Sequence, residues 1–118
     1  MSINSNTSFD HASLEKEWGD ESALEMAKCY AEDTRTVLQD LDTGSQMRDA
    51  GKVRTQAHML KGCSRAICGR RVEKASADVE MAAIKQDWDA VLSGIEVLKP
   101  LYLQLISEVD AYVQSKQT

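Results

Sequence analysis

Apolar residues recur at helical spacing along almost the whole chain, and this periodicity constrains the fold more than any other feature. No stretch alternates apolar and polar residues for long enough to indicate a strand. The single proline and the abundance of Ala, Leu, Glu, Lys and Gln also favour helix over sheet. A chain of 118 residues is one domain by the usual size relation and can bury one sizeable core. The sequence therefore predicts a single all-α domain.

Capping residues divide this pattern into separate helices. Asp10, Asp49 and Asp87 are predicted N-caps, and either Asp20 or Ser22 is expected to cap the second helix. Pro100 is expected to kink the last helix or break it in two. The expected helices span, approximately, residues 11–18, 22–41, 50–69, 70–85 and 88–114, and residues 43–45 are expected to form a loop or a frayed end of the second helix. Because long amphipathic helices with short connections become antiparallel neighbours, we expect an up-and-down antiparallel four-helix bundle with a short extra N-terminal helix. The bundle should occupy residues 9–115, after a disordered, polar tail at residues 1–8.

The charge distribution limits the possible partners. The formal net charge of −5 argues against nucleic acid, because phosphate binding requires a basic surface. However, half of the 14 lysines and arginines lie between Lys52 and Lys74, and no acidic residue occurs from Ala50 to Val72. An acidic protein with one basic segment favours a local contact with an acidic partner.

Cysteine and histidine usage predicts neither disulfides nor a metal site. The three cysteines are odd in number and form no CxxC motif, which favours a reduced, cytoplasmic protein. The two histidines, His11 and His58, show no metal-ligand spacing with the cysteines. No signal peptide is visible, and no segment approaches the roughly 20 apolar residues that cross a bilayer, so we expect no membrane partner.

The helix after Asp49 carries the most informative pattern. At 100° per residue, one side is apolar and consists of Val53, Ala57, Leu60, Ser64 and Ile67. The opposite, solvent-facing side carries Arg54, His58, Lys61, Gly62 and Arg65. A neutral imidazole there is a nucleophile, and the neighbouring cations would stabilise negative charge placed on it. Gly62 costs about 1 kcal/mol relative to alanine inside a helix, which indicates that a partner must approach the backbone at this point.

Residues 57–64, Ala-His-Met-Leu-Lys-Gly-Cys-Ser, resemble the AHxLKGxS signature of histidine-containing phosphotransfer (HPt) domains. Weaker features of that family agree in order and spacing: Asp49 about nine residues before the histidine, Val79-Glu80 in the next helix, and Gln86-Asp87 before the last helix. The resemblance extends over about residues 9–113. One departure is Cys68, which stands where the family usually has a glycine, with Gly69 following it.

The resemblance implies that His58 accepts a phosphoryl group from an aspartate of one receiver domain and passes it to a second receiver. The two receivers would belong to a hybrid histidine kinase and a response regulator. Lys61 would steady the phosphoryl oxygens, Gly62 would leave room for the receiver, and no cofactor is implied because Mg²⁺ belongs to the receiver. The helical wheel adds Arg54 and Arg65 as candidate contacts to the acidic receiver. Members of this family are mostly monomeric, so we expect a monomer.

Two other functions remain open at this stage. The chain could be a helical receiver-binding or interaction module that transfers no phosphate, although such modules usually lack the histidine. It could also be an enzyme such as a histidine kinase or phosphatase. Because the chain has no glycine-rich nucleotide loop and is too short for an ATP-binding domain, we expect no ATP-dependent kinase activity of its own.

Overall fold

A computed structural model describes residues 8–117, and this range forms α-helices without any strand. The helices are α1 (His11–Trp18), α2 (Asp20–Asp33), α3 (Val37–Gln46), α4 (Ala50–Ala66), α5 (Arg70–Ile84) and α6 (Trp88–Gln117). The predicted bundle is confirmed: α2 with α3, α4, α5 and α6 form the four arms, and α1 packs against α2. The predicted tail lies outside the described residues except for Ser8, which is buried and donates its amide to Glu108.

The first arm is interrupted, so the predicted continuous helix to about residue 41 is wrong. Its interruption lies at residues 34–36, between α2 and α3. The Thr34 hydroxyl donates a hydrogen bond to the Tyr30 carbonyl at 2.8 Å, while the Tyr102 hydroxyl donates to the Thr34 carbonyl at 2.9 Å. Because side chains satisfy these backbone groups, the helix can end inside the bundle without leaving a buried carbonyl unpaired.

Residues 43–45 are helical, so the predicted loop is also wrong. Gly44 is buried in α3. A Cβ atom at this position would lie 2.9 Å from Cγ2 of Val53. The glycine therefore allows α3 and α4 to approach closely, and it does not end the helix as the sequence suggested.

Three of the connections between helices are three-residue turns with the same geometry. The middle residue of each turn is Arg48, Cys68 or Gln86, with φ of 53°, 64° and 54° respectively. In each turn the amide of the next residue donates to a carbonyl five residues earlier: Asp49 to Gly44 at 2.9 Å, Gly69 to Ser64 at 2.7 Å, and Asp87 to Ala82 at 3.0 Å. This is the Schellman arrangement, in which glycine usually occupies the left-handed position.

The N-caps predicted at Asp10, Asp49 and Asp87 are confirmed, whereas the cap predicted at Asp20 or Ser22 is wrong, because Gly19 precedes α2 and no side chain of the described residues caps it. The carboxylate oxygens accept hydrogen bonds from backbone amides of the first helical turn: Asp10 from Ser13, Asp49 from Lys52 and Asp87 from Ala90. Asp49 and Asp87 are also the third residues of their turns. Each of these two aspartates therefore completes the turn that ends one helix and caps the next helix, so the connection between the two helices is short and hydrogen-bonded.

Helix α6 continues through Pro100, so of the kink or break predicted there the break does not occur. With 30 residues and a window of mean hydropathy 1.2, α6 is long and apolar enough to cross a membrane by length and composition alone. In the structure it packs against α2, α3 and α5, and its side chains Ile95, Leu98 and Leu105 are buried there. The apolar character of α6 is thus used, at least in part, by the core of the bundle.

Candidate functional site

Helix α4 places His58 on the outer surface of the bundle. The predicted apolar side of α4 is confirmed, since Val53, Ala57, Leu60 and Ser64 are all fully buried. The His58 side chain, on the opposite side, is 67% exposed. The other predicted site residues lie on the same outer side: Lys61 is half-buried, whereas Arg54, Gly62 and Arg65 are exposed.

Glu80 of α5 joins His58 to Lys61. One carboxylate oxygen, Oε2, lies 2.7 Å from Nδ1 of His58, and the other, Oε1, lies 2.7 Å from Nζ of Lys61. The Glu80 side chain is only 13% exposed. The hydrogen bond from Lys61 is the main cause that lowers the pKa of Glu80, and the His58 contact lowers it further, against the opposing effect of burial. Glu80 is therefore an ionised, acceptor-only group near neutral pH.

This contact determines which ring nitrogen of His58 has a free electron pair. Because a carboxylate can only accept a hydrogen bond, Nδ1 of His58 carries the proton that Glu80 receives at 2.7 Å. In a neutral imidazole, Nε2 then has the free electron pair. Glu80 also restricts rotation of the ring, so that Nε2 is held in one direction on the exposed surface.

Gly62 lies one turn after His58 and opens the surface. A Cβ atom at Gly62 would have no neighbour within 4 Å, so close packing of helices does not explain this glycine. Gly62 is part of a groove of about 400 Å³ that is lined by Trp18, Met26 and Arg65, among others. Trp18 is 54% exposed, which is high for a tryptophan at a helix end. The groove beside Gly62 thus combines an open backbone with an exposed aromatic ring.

The two predicted arginines lie on either side of His58 along α4. Nε of Arg65 is 3.9 Å from Oε2 of Glu73, and the Arg65 side chain is 81% exposed. Arg54 forms no ion pair or hydrogen bond with any described residue within 8–117, and it lines a second groove with Gly51 and Ile84. The structure therefore brings all five predicted site residues to one side of α4, but only His58 and Lys61 have a tight partner there, and both contact Glu80 at 2.7 Å.

Sequence reasoning gave Glu80 no role in the site, because its contact with His58 spans 22 positions of the chain. A signal was nevertheless present. In an antiparallel pair of helices joined by a tight turn, residues at similar distances from the turn face each other. His58 precedes Cys68 by ten residues and Glu80 follows it by twelve. The helix boundary predicted at residues 69 and 70 therefore already placed Glu80 in the neighbourhood of His58.

The described residues 8–117 contain no group of three or more His, Cys, Asp or Glu side chains placed to hold a metal ion. The charged side chains on this face are Lys61 with Glu80, Arg65 with Glu73, and Arg54, which has no acidic partner among the described residues. Since Lys61 already balances Glu80, the remaining charge on this face is positive, and it favours an anion over a cation as the ligand.

The helices form a bundle that carries an exposed histidine on α4. The crystal structure of histidine-containing phosphotransfer protein B (HptB) from Pseudomonas aeruginosa PAO1 has the same fold, with a TM-score of 0.80. The two sequences are 21% identical over 94% of this chain and 98% of that chain. No family model matches the sequence, and a search of curated proteins gave no significant match. The chain thus has the HPt fold along nearly its whole length.

Proposed function

We propose that this protein is a phosphocarrier in a multistep phosphorelay, in which His58 receives a phosphoryl group from one receiver domain and delivers it to another. The observation that carries the proposal is the contact of 2.7 Å between Glu80 and Nδ1 of His58, which leaves Nε2 as an exposed nucleophile. A histidine that served only as a surface residue would not need a largely buried carboxylate to fix its tautomer. The HPt fold supports the same proposal.

Each of the two transfers forms one bond to phosphorus and breaks another. Nε2 of His58 attacks the phosphorus of a phosphoaspartate, the N–P bond forms, and the bond from phosphorus to the aspartyl oxygen breaks. The aspartate leaves as a carboxylate, and Glu80 stabilises the positive charge that develops on the imidazole. The second transfer is the reverse of the first, with a different aspartate as the acceptor. Phosphoryl transfer depends mainly on positioning and electrostatic stabilisation, and this site offers both.

Lys61 is the proposed contact for the phosphoryl oxygens. It already lies near the ring, because it shares Glu80 with His58. Gly62 leaves the space that a receiver needs to bring its aspartate to Nε2, and Arg54 and Arg65 add positive charge beside it. The protein itself would need no cofactor and no ATP; the Mg²⁺ would be bound by the receiver.

Phosphotransfer from a panel of receiver domains to this protein tests the proposal. Each receiver is phosphorylated with acetyl phosphate, mixed with the protein, and the protein is analysed for acid-labile, base-stable phosphate. We expect transfer with the wild-type protein and with the control variant His11→Gln, and none with His58→Gln. Phosphoramidate, a small donor that phosphorylates histidine without a receiver, provides a second assay of His58. The proposal fails if neither donor labels His58; binding of receivers without labelling would instead support the interaction-module alternative.

A further inference from the structure

A groove at the start of α4 lies on the side of His58 away from Gly62, and of its lining residues only Arg54 has a role in the function proposed above. It has a volume of about 350 Å³ and lies between the first turns of α4 and the last turn of α5. Gly51 and Arg54 line it from α4, and Ile84 lines it from α5. We name this the Arg54–Ile84 groove. It is separate from the groove beside Gly62, since the two share no lining residue.

The groove combines an exposed apolar side chain with an unpaired charge. Ile84 is 53% exposed, although isoleucine is one of the most commonly buried residues. Arg54 has no acidic partner among residues 8–117, whereas Lys61 is bound by Glu80, and Arg70 is bound by Asp10 at 2.8 Å. An arginine and an isoleucine in one concave site match an acidic side chain with an apolar neighbour on the surface of another protein.

The short distance between Arg54 and His58 indicates which protein would occupy the Arg54–Ile84 groove. Arg54 precedes His58 by four residues, which is about 6 Å along a helix axis. A stable interface covers roughly 800 Å² on each partner, which corresponds to a disc about 30 Å across. An interface of that size centred on His58 therefore covers the Arg54–Ile84 groove as well as the groove beside Gly62. A protein that reaches Nε2 contacts the first groove with one edge.

We propose that the Arg54–Ile84 groove is a second anchor point for the receiver domain, which binds it through a carboxylate and an adjacent apolar side chain. This inference rests on the proposed phosphorelay function and names a part of the receiver-binding surface that the histidine motif does not include. The charge of the segment agrees with an acidic occupant, because no acidic residue occurs from Ala50 to Val72. A receiver would then span His58, with one contact on each side of it.

The test measures binding separately from transfer. In the His58→Gln background no phosphate moves, so calorimetric titration with receivers from the panel reports docking alone. We expect Arg54→Ala and Ile84→Ser each to raise the dissociation constant at least fivefold for any receiver that binds the protein. The matched controls are Arg35→Ala and Leu103→Ser, which change an exposed arginine and an exposed leucine outside both grooves and should alter the constant less than twofold.

Transfer rates then relate docking to function. Each variant with His58 intact is assayed with the phosphorylated receiver, and its rate is divided by its own rate with phosphoramidate. We expect this ratio to fall at least fivefold for Arg54→Ala and Ile84→Ser and to stay constant for the controls. Unchanged dissociation constants, or equal losses in the control variants, would overturn the second anchor. A receiver that binds His58→Gln but never labels His58 would instead refute phosphotransfer and leave the docking measurement valid.

Discussion

The left-handed conformation of Cys68 allows a quantitative test of the turn between α4 and α5. Cys68 has φ of 64° and occupies the position that glycine usually holds in a Schellman turn. For a residue with a Cβ atom, this conformation costs about 1–2 kcal/mol relative to the right-handed one. A glycine avoids that cost but loses about 0.5–1 kcal/mol through its greater freedom in the unfolded chain. Replacing a residue that has a Cβ by glycine should therefore stabilise the fold by about 0.5–1 kcal/mol.

The sulfur of Cys68 must be separated from this backbone effect, because the side chain is half-buried against the core. The informative comparison is therefore Cys68→Ala against Cys68→Gly, since both variants lack the sulfur and only alanine keeps the Cβ. We expect Cys68→Gly to be the more stable of the two by about 0.5–1 kcal/mol, or roughly 2–5 °C in Tm. Urea unfolding and thermal melting followed by circular dichroism measure both quantities.

Two further substitutions serve as controls for the same turn geometry. Gln86 has φ of 54° and an exposed side chain, so Gln86→Gly should also be more stable than Gln86→Ala. Gly69→Ala should be destabilising, because its Cβ would lie 2.7 Å from Cδ2 of Leu105. If Cys68→Gly proved equal to or less stable than Cys68→Ala while the Gln86 pair behaved as expected, the account of this turn would be wrong.

Three more predictions concern the site. Gly62→Ala should raise the free energy of unfolding in urea by up to about 1 kcal/mol, because the added Cβ meets no neighbour. Gly62→Gln should fold normally and slow phosphotransfer from a receiver at least tenfold. Equal transfer rates for Gly62→Gln and the wild type would remove the role assigned to the glycine. Because the pKa of Glu80 is lowered below its usual value of 4.5, the stability that ionised Glu80 contributes should be complete above about pH 4.5 and lost as the pH falls through the folded-state pKa. The difference in unfolding free energy between the wild type and Glu80→Gln should shrink over that range, and a difference that grows on acidification would contradict this sign. The fluorescence of Trp18, measured in a Trp88→Phe background, should shift to shorter wavelength when a receiver binds, because the ring is 54% exposed in the free protein. An unchanged spectrum at saturating receiver would show that the receiver binds elsewhere.

The parts of the fold that depend on local chemistry were predictable from the sequence. An aspartate followed by a helical pattern marks an N-cap because its carboxylate reaches an amide three residues later, and Asp10, Asp49 and Asp87 all form this contact. The outward position of His58 followed from helical periodicity alone. These features depend on residues that lie within one or two turns of each other.

The errors arose where distant residues decide the outcome. The interruption after α2 depends on Tyr102, which is 68 positions from Thr34 and donates to its carbonyl. Gly44 suggested a loop, but its role is to admit Val53 of the neighbouring helix. Glu80 likewise belongs to the site only because α5 folds back along α4. Local spacing alone does not fix such contacts, because they depend on how distant helices pack and on where the turns between them lie.

The contacts of Ser8 and Phe9 with the last helix have a consequence for modular architecture. Both backbone amides donate to Oε1 of Glu108, at 2.8 and 2.7 Å, and Lys116 forms an ion pair with Glu15 at 3.2 Å. The first and last described segments therefore lie side by side. A bundle whose two ends are adjacent can be inserted into a surface loop of another protein, or be circularly permuted by joining those ends, with little change to its core. Either rearrangement would leave α4 continuous and His58 accessible.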